Sequence, residues 1–292
     1  KVALLIKRIL PVVFGASLYQ VNLLIGTILA TYVSDGAVSY LYYADRVTQL
    51  PLGVVGVAVG TALLPLLARQ LKAGDDRAAR NSQNRGLEFA LLLTLPAAAA
   101  CLVIPDEIIR VLFERGAFGA DATAATASAL FAYATGLPAY VLIRVLAPGF
   151  YAREDTSTPV RIAIAAMIVN IVLMLVLMKP LGHVGIALAA SASAWLNTLL
   201  LAIVLVRRGH FALDARTRSR LPRIVLATAG MVGVLEVGRQ NLGFLIAGNT
   251  AEQVLGLGLL VALGLAAFAA FALVLRAAGL KDAKSMLRAK DL

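Results

Sequence analysis

Two arginines sit inside apolar stretches of this sequence, and they offer more chemistry than any other side chains in it. Arg46 lies about ten residues, or roughly 15 Å of helix, beyond an expected helix start at Gly36, with Asp35 as the expected cap and the helix running to about residue 67. Arg144 lies in a later apolar run, about two turns before Pro148 and Gly149. A charged side chain near the centre of a bilayer costs about 2.5–3.5 kcal/mol, so a chain keeps one there to face a wet cavity or a partner. Guanidinium is also the side chain whose planar fork matches phosphate. Arg46 is therefore expected to meet an anionic group in an aqueous cavity; snorkelling to the interface, or pairing with an acid on another helix, is the alternative. Asp45 adjoins it in sequence but points elsewhere on a helix, so it does not simply neutralise it. Arg144, nearer the end of its run, fits a cavity residue or an interfacial anchor equally well.

Nothing else in the sequence suggests bond-making chemistry. There is no Ser/His/Asp set, no carboxylate pair clearly within an apolar span, no phosphate-cradling glycine loop followed by Lys-Ser or Lys-Thr, and no metal-ligand spacing. One cysteine, Cys101, excludes an internal disulfide framework and a thiolate cluster, and His183 and His210 are read as surface residues. No catalytic residue, metal or cofactor is expected, which leaves transport.

The elements that must hold the arginines are transmembrane helices. Of 292 residues, 60% are hydrophobic and 15% charged, against about 45–50% and about 25% in soluble domains. Mean hydropathy is +0.86. Apolar segments occupy roughly residues 9–33, 47–67, 87–104, 127–150, 162–178, 184–206, 224–235 and 254–275, the seventh being short. Each must be a helix, because backbone groups in hydrocarbon need internal partners and no barrel-strand alternation is present. Pro51, Gly53, Gly56, Gly60 and Pro65 are expected to bend the second.

Eight crossings put both ends on one side. That side then receives most of the 27 Lys and Arg, while the other receives Arg110, Arg115, Lys179 and Arg239, with Arg46 and Arg144 left within the spans. The asymmetry predicts cytoplasmic termini and assigns the net charge of +11 to orientation and anionic headgroups rather than to nucleic acid. At the loops, a hydroxyl N-cap before Pro159 is expected to start the fifth span, and Gly74-Asp75-Asp76 to break the second from an amphipathic lead into the third. On the opposite side, a short interfacial helix at 108–113 is expected to end at Gly116 and Gly119. Alanine-rich stretches suit close helix packing, and Gln20, Asn22, Asn170, Ser191, Ser193 and Asn197 suit interhelical hydrogen bonds. Tyr40, Tyr42 and Tyr43 fit an interfacial belt or a cavity wall.

Two blocks carry a family resemblance. One is Tyr42-Tyr43-Ala44-Asp45-Arg46, continued from Leu50-Pro51-Leu52-Gly53 to Leu64-Pro65; the other is Arg144-Val145-Leu146-Ala147-Pro148-Gly149-Phe150-Tyr151-Ala152-Arg153-Glu154-Asp155, followed by Thr158-Pro159-Val160. Their order and separation resemble the MurJ (MviN) family of lipid II flippases. The resemblance implies the exporter fold of multidrug, oligosaccharidyl-lipid and polysaccharide transporters (the MOP superfamily), all-α, with two six-helix lobes and two added C-terminal helices. This chain resembles the second lobe (1–208) followed by a cytoplasmic loop, the two extra helices and a basic tail (209–292), so a first lobe is expected to precede it.

The resemblance further implies a bacterial inner-membrane protein that takes lipid II from the inner to the outer leaflet in peptidoglycan synthesis by alternating access. Ser39, Asp45, Arg46, Gln49 and Arg144 would contact substrate, Pro51, Pro148 and Gly149 would serve as hinges, and the last two spans would offer a groove for the polyprenyl tail. Membrane lipids, the first lobe and cell-wall synthesis proteins would be the partners. Some relatives carry an acid where Gln49 stands, so no acid-dependent role is expected there. Members with a sodium site carry acidic or polar residues where Gly26 and Met174 stand, so only Asn170 remains and no ion site is expected. Other exporters of the same fold, or a membrane scaffold for wall synthesis, are the competing readings; a scaffold gains nothing from a deep unpaired cation.

Overall fold

The computed structural model describes residues 20–246 and 248–277. Its elements are α1 (Gln20–Thr31), α2 (Ala37–Lys72), α3 (Asp76–Val103), α4 (Pro105–Phe113), α5 (Ala120–Tyr151), α6 (Ser157–Arg207), α7 (Ala215–Ile246) and α8 (Thr250–Val274), with no strand among the described residues. Helices α3, α5, α6, α7 and α8 are each long and apolar enough to cross a membrane, and the chain is a multi-pass membrane protein. The start of the first expected span and most of the basic tail lie outside the described residues.

Helix α6 is two spans. Gly182 interrupts it with φ 57° and ψ −136°, a conformation that needs the absence of a Cβ. Met174 and Ile186 both lie within 4.0 Å of where a Cβ on Gly26 would stand. A straight helix would hold them about 18 Å apart, so the chain doubles back at Gly182. The expected fifth and sixth spans are the two arms.

Several local expectations are corrected. Asp35 does not cap α2: Gly36 occupies the N-cap with φ 86° and no side-chain cap bond forms. At α6 the hydroxyl cap is also replaced, since Asp155 Oδ1 accepts from the Thr158 amide at 3.0 Å while Thr156 at the N-cap makes no side-chain bond. A carboxylate reaching forward satisfies the same orphan donors. The expected seventh span is the middle of a 32-residue helix, because Glu236 and Arg239 pair at 2.8 Å within α7 rather than ending it. Asp75, by contrast, accepts from the Ala78 amide at 2.8 Å and starts α3 at the expected turn. Helix α4 forms where the interfacial segment was expected, beginning at Pro105.

Helix α5 is the central element, packed against α2, α3 and both arms of α6. Two buried clusters divide its length. Ala37, Leu41 and Ala44 of α2 meet Leu130 and Ala134 toward one end, and Leu63 and Leu67 of α2 meet Val141, Val145 and Phe150 toward the other. Small residues permit the closeness: a Cβ on Gly136 would lie 2.6 Å from Ser191 Oγ. Ser191 donates to Ala132 O at 2.8 Å, Trp195 to Thr135 O at 2.9 Å and Thr198 to Ala139 O at 3.0 Å, so α5 and α6 are stitched by bonds worth keeping in lipid.

Helices α7 and α8 form a hairpin laid against α3. A Cβ on Gly230 would meet the Phe271 ring at 2.8 Å and one on Gly238 would meet Leu263 at 2.8 Å. Asn249 and Glu252 close a reciprocal capping box at the start of α8. The hairpin is also tied down by charge. Glu88 on α3, with its side chain 7% exposed, accepts from Arg85 at 2.7 Å and Thr217 at 2.7 Å, and pairs with Arg220 at 3.3 Å and Arg216 at 3.4 Å. Arg85 additionally binds Asp214, which caps α7 by accepting from the Thr217 amide at 2.7 Å.

Candidate functional site on the open face of α2

Helix α2 buries one face and leaves another open along its first half. Ala37, Leu41, Ala44, Val47 and Thr48 are buried against α5, while Ser39, Tyr42, Arg46, Leu50 and Gly53 are exposed. Their spacing of three or four residues makes one stripe on one helical face. Ser39 and Arg46 thus lie on this face, with Gln49 and Asp45 half-buried at its edges.

Arg46 is held without being neutralised by direct pairing. Its Nη1 donates to Gln49 Oε1 at 3.1 Å, and its Cζ lies 4.7 Å from the centre of the Tyr42 ring. Gln49 Nε2 in turn donates to Asp45 Oδ2. The amide therefore stands between acid and base and leaves most of the guanidinium fork unclaimed. The described residues leave this face open; the expectation of an enclosing cavity is not met within this chain, because nothing described here covers the stripe.

Arg144 reaches the same helix from α5. Its Nη1 donates to Leu52 O at 3.4 Å, and the guanidinium fills the space above Gly56, where a Cβ would lie 1.8 Å from it. Leu52 and Gly56 follow Arg46 by two to three turns of α2, so the two cations are distributed along one helix. Sequence reasoning missed Gly56 as the seat of Arg144. The signal was present in the small-residue series Gly53, Gly56, Gly60, but which cation would use it depends on how α5 crosses α2.

The expected hinges sit differently. Pro51 is inside α2, which is helical on both sides of it. Pro148 and Gly149 are buried inside α5, which runs on to Tyr151, and a Cβ on Gly149 would stand 2.6 Å from Gln83 Nε2, so Gly149 admits a close helix contact. Asn170 is buried and donates to Asn22 Oδ1 at 2.6 Å. Met174, one turn on, is buried with its methyl 3.4 Å from the Cβ position of Gly26. His183 is not a plain surface residue: its Nε2 lies 2.8 Å from Ala125 O and its ring packs edge-on against Tyr40 at 5.5 Å.

The family model described as "Lipid II flippase MurJ" matches residues 1–243. A probable lipid II flippase MurJ of Rhizobium meliloti (strain 1021) is 49% identical over 243 residues, covering 82% of this chain and 45% of the relative. Its counterpart in Vibrio cholerae serotype O1 is 36% identical over 276 residues, covering 94% of this chain and 52% of the relative. The chain thus spans about half the length of these relatives. In fold it is similar to a lipid II flippase MurJ in an inward closed conformation, with TM-score 0.76, 24% identity and coverage of 93% of this chain and 54% of that one. It is also similar to an outward-facing multidrug resistance MATE family transporter of the MOP superfamily, with TM-score 0.63, 17% identity and coverage of 93% and 65%. On the match over residues 1–243 and on these identities, the chain belongs to the lipid II flippase MurJ family.

Proposed function

We propose that this chain is the second-lobe portion of a flippase that carries lipid II from the inner to the outer leaflet of the bacterial cytoplasmic membrane. The observation that carries the reading is Arg46: a guanidinium on an open helical stripe, anchored by Gln49 and Tyr42 rather than by a carboxylate. A headgroup bearing diphosphate cannot cross hydrocarbon unaided, and a fork-shaped cation in a wet space supplies the charge and hydrogen bonds that water would otherwise supply. The open face of α2 is what a first lobe would close against, making a cavity between two halves that rock about it. Ser39, Gln49 and Arg144 would line that cavity and Asp45 would brace it. Pro51 of α2 and Pro148 and Gly149 of α5 would act as hinges.

In this reading residues 1–208 form the lobe and residues 209–292 the appended hairpin and tail, with both ends of the chain cytoplasmic. A groove of about 690 Å³ on the hairpin, lined by Gly230, Gly233, Val237, Gly238 and Leu263, suits the polyprenyl tail. Catalysis, cofactor and metal have no part in it. Wall-synthesis proteins and the first lobe would be the protein partners. Gly26 and Met174, apolar where members with a sodium site carry acidic or polar side chains, support a cycle without that site, so replacing Asn170 by Ala should leave no sodium-dependent step to lose; abolition of sodium-dependent transport would refute this.

The test is depletion of the full-length protein and measurement of lipid II exposed at the outer leaflet, with rescue by variants. Arg46→Ala should fail to restore exposure, and Arg46→Lys should restore part, keeping charge but losing the fork. A fully active Ala variant removes the proposed role, and undiminished exposure on depletion favours a scaffold.

A further inference from the structure

The three tyrosines at the start of α2 have separate fates. Tyr40 is half-buried against His183, with ring centres 5.5 Å apart. Tyr43 is half-buried in an aromatic cluster, 4.7 Å from Phe113 and 5.4 Å from Phe118. Tyr42 is 52% exposed and lies on the stripe that carries Ser39 and Arg46. Two of the three are structural, and the third is turned to the open face.

Tyr42 is also a fixed platform. Helical side chains lean toward the N-terminus, so Arg46 reaches back one turn and its guanidinium covers the Tyr42 ring at 4.7 Å. Tyr43 packs at 77° against the same ring with centres 5.7 Å apart. An aromatic body held at its edge and against a cation, with its remaining surface uncovered, binds flat apolar faces that carry polar edges. A pyranose ring is such a group: its C–H face stacks on an aromatic while its hydroxyls stay wet. In a lipid-linked precursor the first sugar is joined to the diphosphate through a single oxygen. A sugar beside a diphosphate held by Arg46 therefore falls within one helical turn of it, where Tyr42 stands. Ser39 follows one turn further along, with a hydroxyl for a polar substituent.

We propose that Tyr42 is the sugar subsite of this face, stacking the pyranose attached to the diphosphate, so that the headgroup lies along α2 from Arg46 toward Ser39. The proposal rests on the lipid II reading and adds to it a determinant of which diphosphate lipids are preferred. A tyrosine present only as an interfacial belt residue, or only to steady Arg46, would not distinguish ligands with and without sugar.

The experiment uses the full-length protein in detergent or nanodiscs and two probes, undecaprenyl diphosphate and lipid II, with binding read by native mass spectrometry or by competition. Wild type should prefer lipid II. Tyr42→Leu should reduce the ratio of the two affinities roughly three- to tenfold, and Tyr42→Phe, which keeps the stacking face, should preserve it. An unchanged ratio in Tyr42→Leu overturns the proposal, and so does an equal fall for both probes, which would make Tyr42 a support for Arg46 alone. Arg46→Ala should weaken both probes together. If it weakens neither, the diphosphate reading of the stripe fails and takes the sugar subsite with it, whereas loss with Arg46→Ala and an unchanged ratio with Tyr42→Leu sinks only the sugar subsite.

Discussion

Gly56 lacks a side chain at the one place where Arg144 needs room above α2. Gly56→Ala would put a methyl 1.8 Å from Arg144 Nη1. The guanidinium is the far end of a flexible side chain, so it would move aside, releasing Leu52 O, and the helix packing would stay. If Arg144 serves the transport path, Gly56→Ala should lower lipid II exposure clearly while the melting temperature shifts by little. If Arg144 is a headgroup anchor, exposure should hold, and measuring both quantities on the same variant separates the roles. At this scale the sequence was legible in part. Arg46 and Arg144 stood out as charges in apolar runs, and Asp45 was seen to point away from Arg46. The Gln49 bridge and the Gly56 seat were not visible, because each depends on rotamers and on the crossing of α2 by α5, which no spacing rule contains.

The junction between α3 and the α7–α8 hairpin is held by a buried carboxylate and its basic partners. Removing the carboxylate leaves several guanidinium groups close together without their shared acid, which weakens the junction. Glu88→Ala should therefore loosen the 209–214 segment and the first turn of α7, read as faster trypsin cleavage after Arg216 and Arg218; unchanged cleavage would mean the hairpin is held by its apolar contacts alone. The neighbouring loops carry a pH dependence of one sign. Burial opposes the charge of Asp155 and Asp214, but the bonds from Thr158 and Arg208, and from Thr217 and Arg85, outweigh it and lower both carboxyls. Their contribution is full above the ordinary aspartate value of about 3.9 and is lost as pH falls through the lower folded values. His210 is lowered by burial and by Arg153 and Arg208, so its neutral form is favoured in the folded chain, and stability falls as pH drops below about 6.5. The protection of this segment, taken relative to the intrinsic exchange rate at each pH, should fall between pH 8 and 5.5 in wild type and hold in His210→Gln. The helices themselves were readable, since a bilayer leaves little choice. Their ends were less so: Gly36 at positive φ and the forward reach of Asp155 are capping solutions that compete with the expected ones at equal spacing.

For the molecule as a whole, the proposed orientation rests on how basic residues are distributed between the loops of the two sides. The loop after α4 has Gly116 at φ 60° and few basic residues, whereas the 207–223 region is rich in arginine. In the proposed orientation, which follows the positive-inside rule, the second region would be cytoplasmic and the first outside. The alternative orientation would turn the α2 stripe over and place the Arg46-to-Ser39 direction toward the cytoplasm, which would reverse the path proposed for the headgroup. Single cysteines decide between them. Cys101 is buried, so it contributes little background labelling. Ala117→Cys, exposed at the tip of the loop after α4, should react with a membrane-impermeant maleimide in intact spheroplasts. Leu213→Cys, 39% exposed beside Asp214, should react only after permeabilisation. Reversal of that pattern would invert the lobe and remove the argument that Arg46 receives its anion from the cytoplasmic leaflet, whatever the affinity of the stripe for diphosphate.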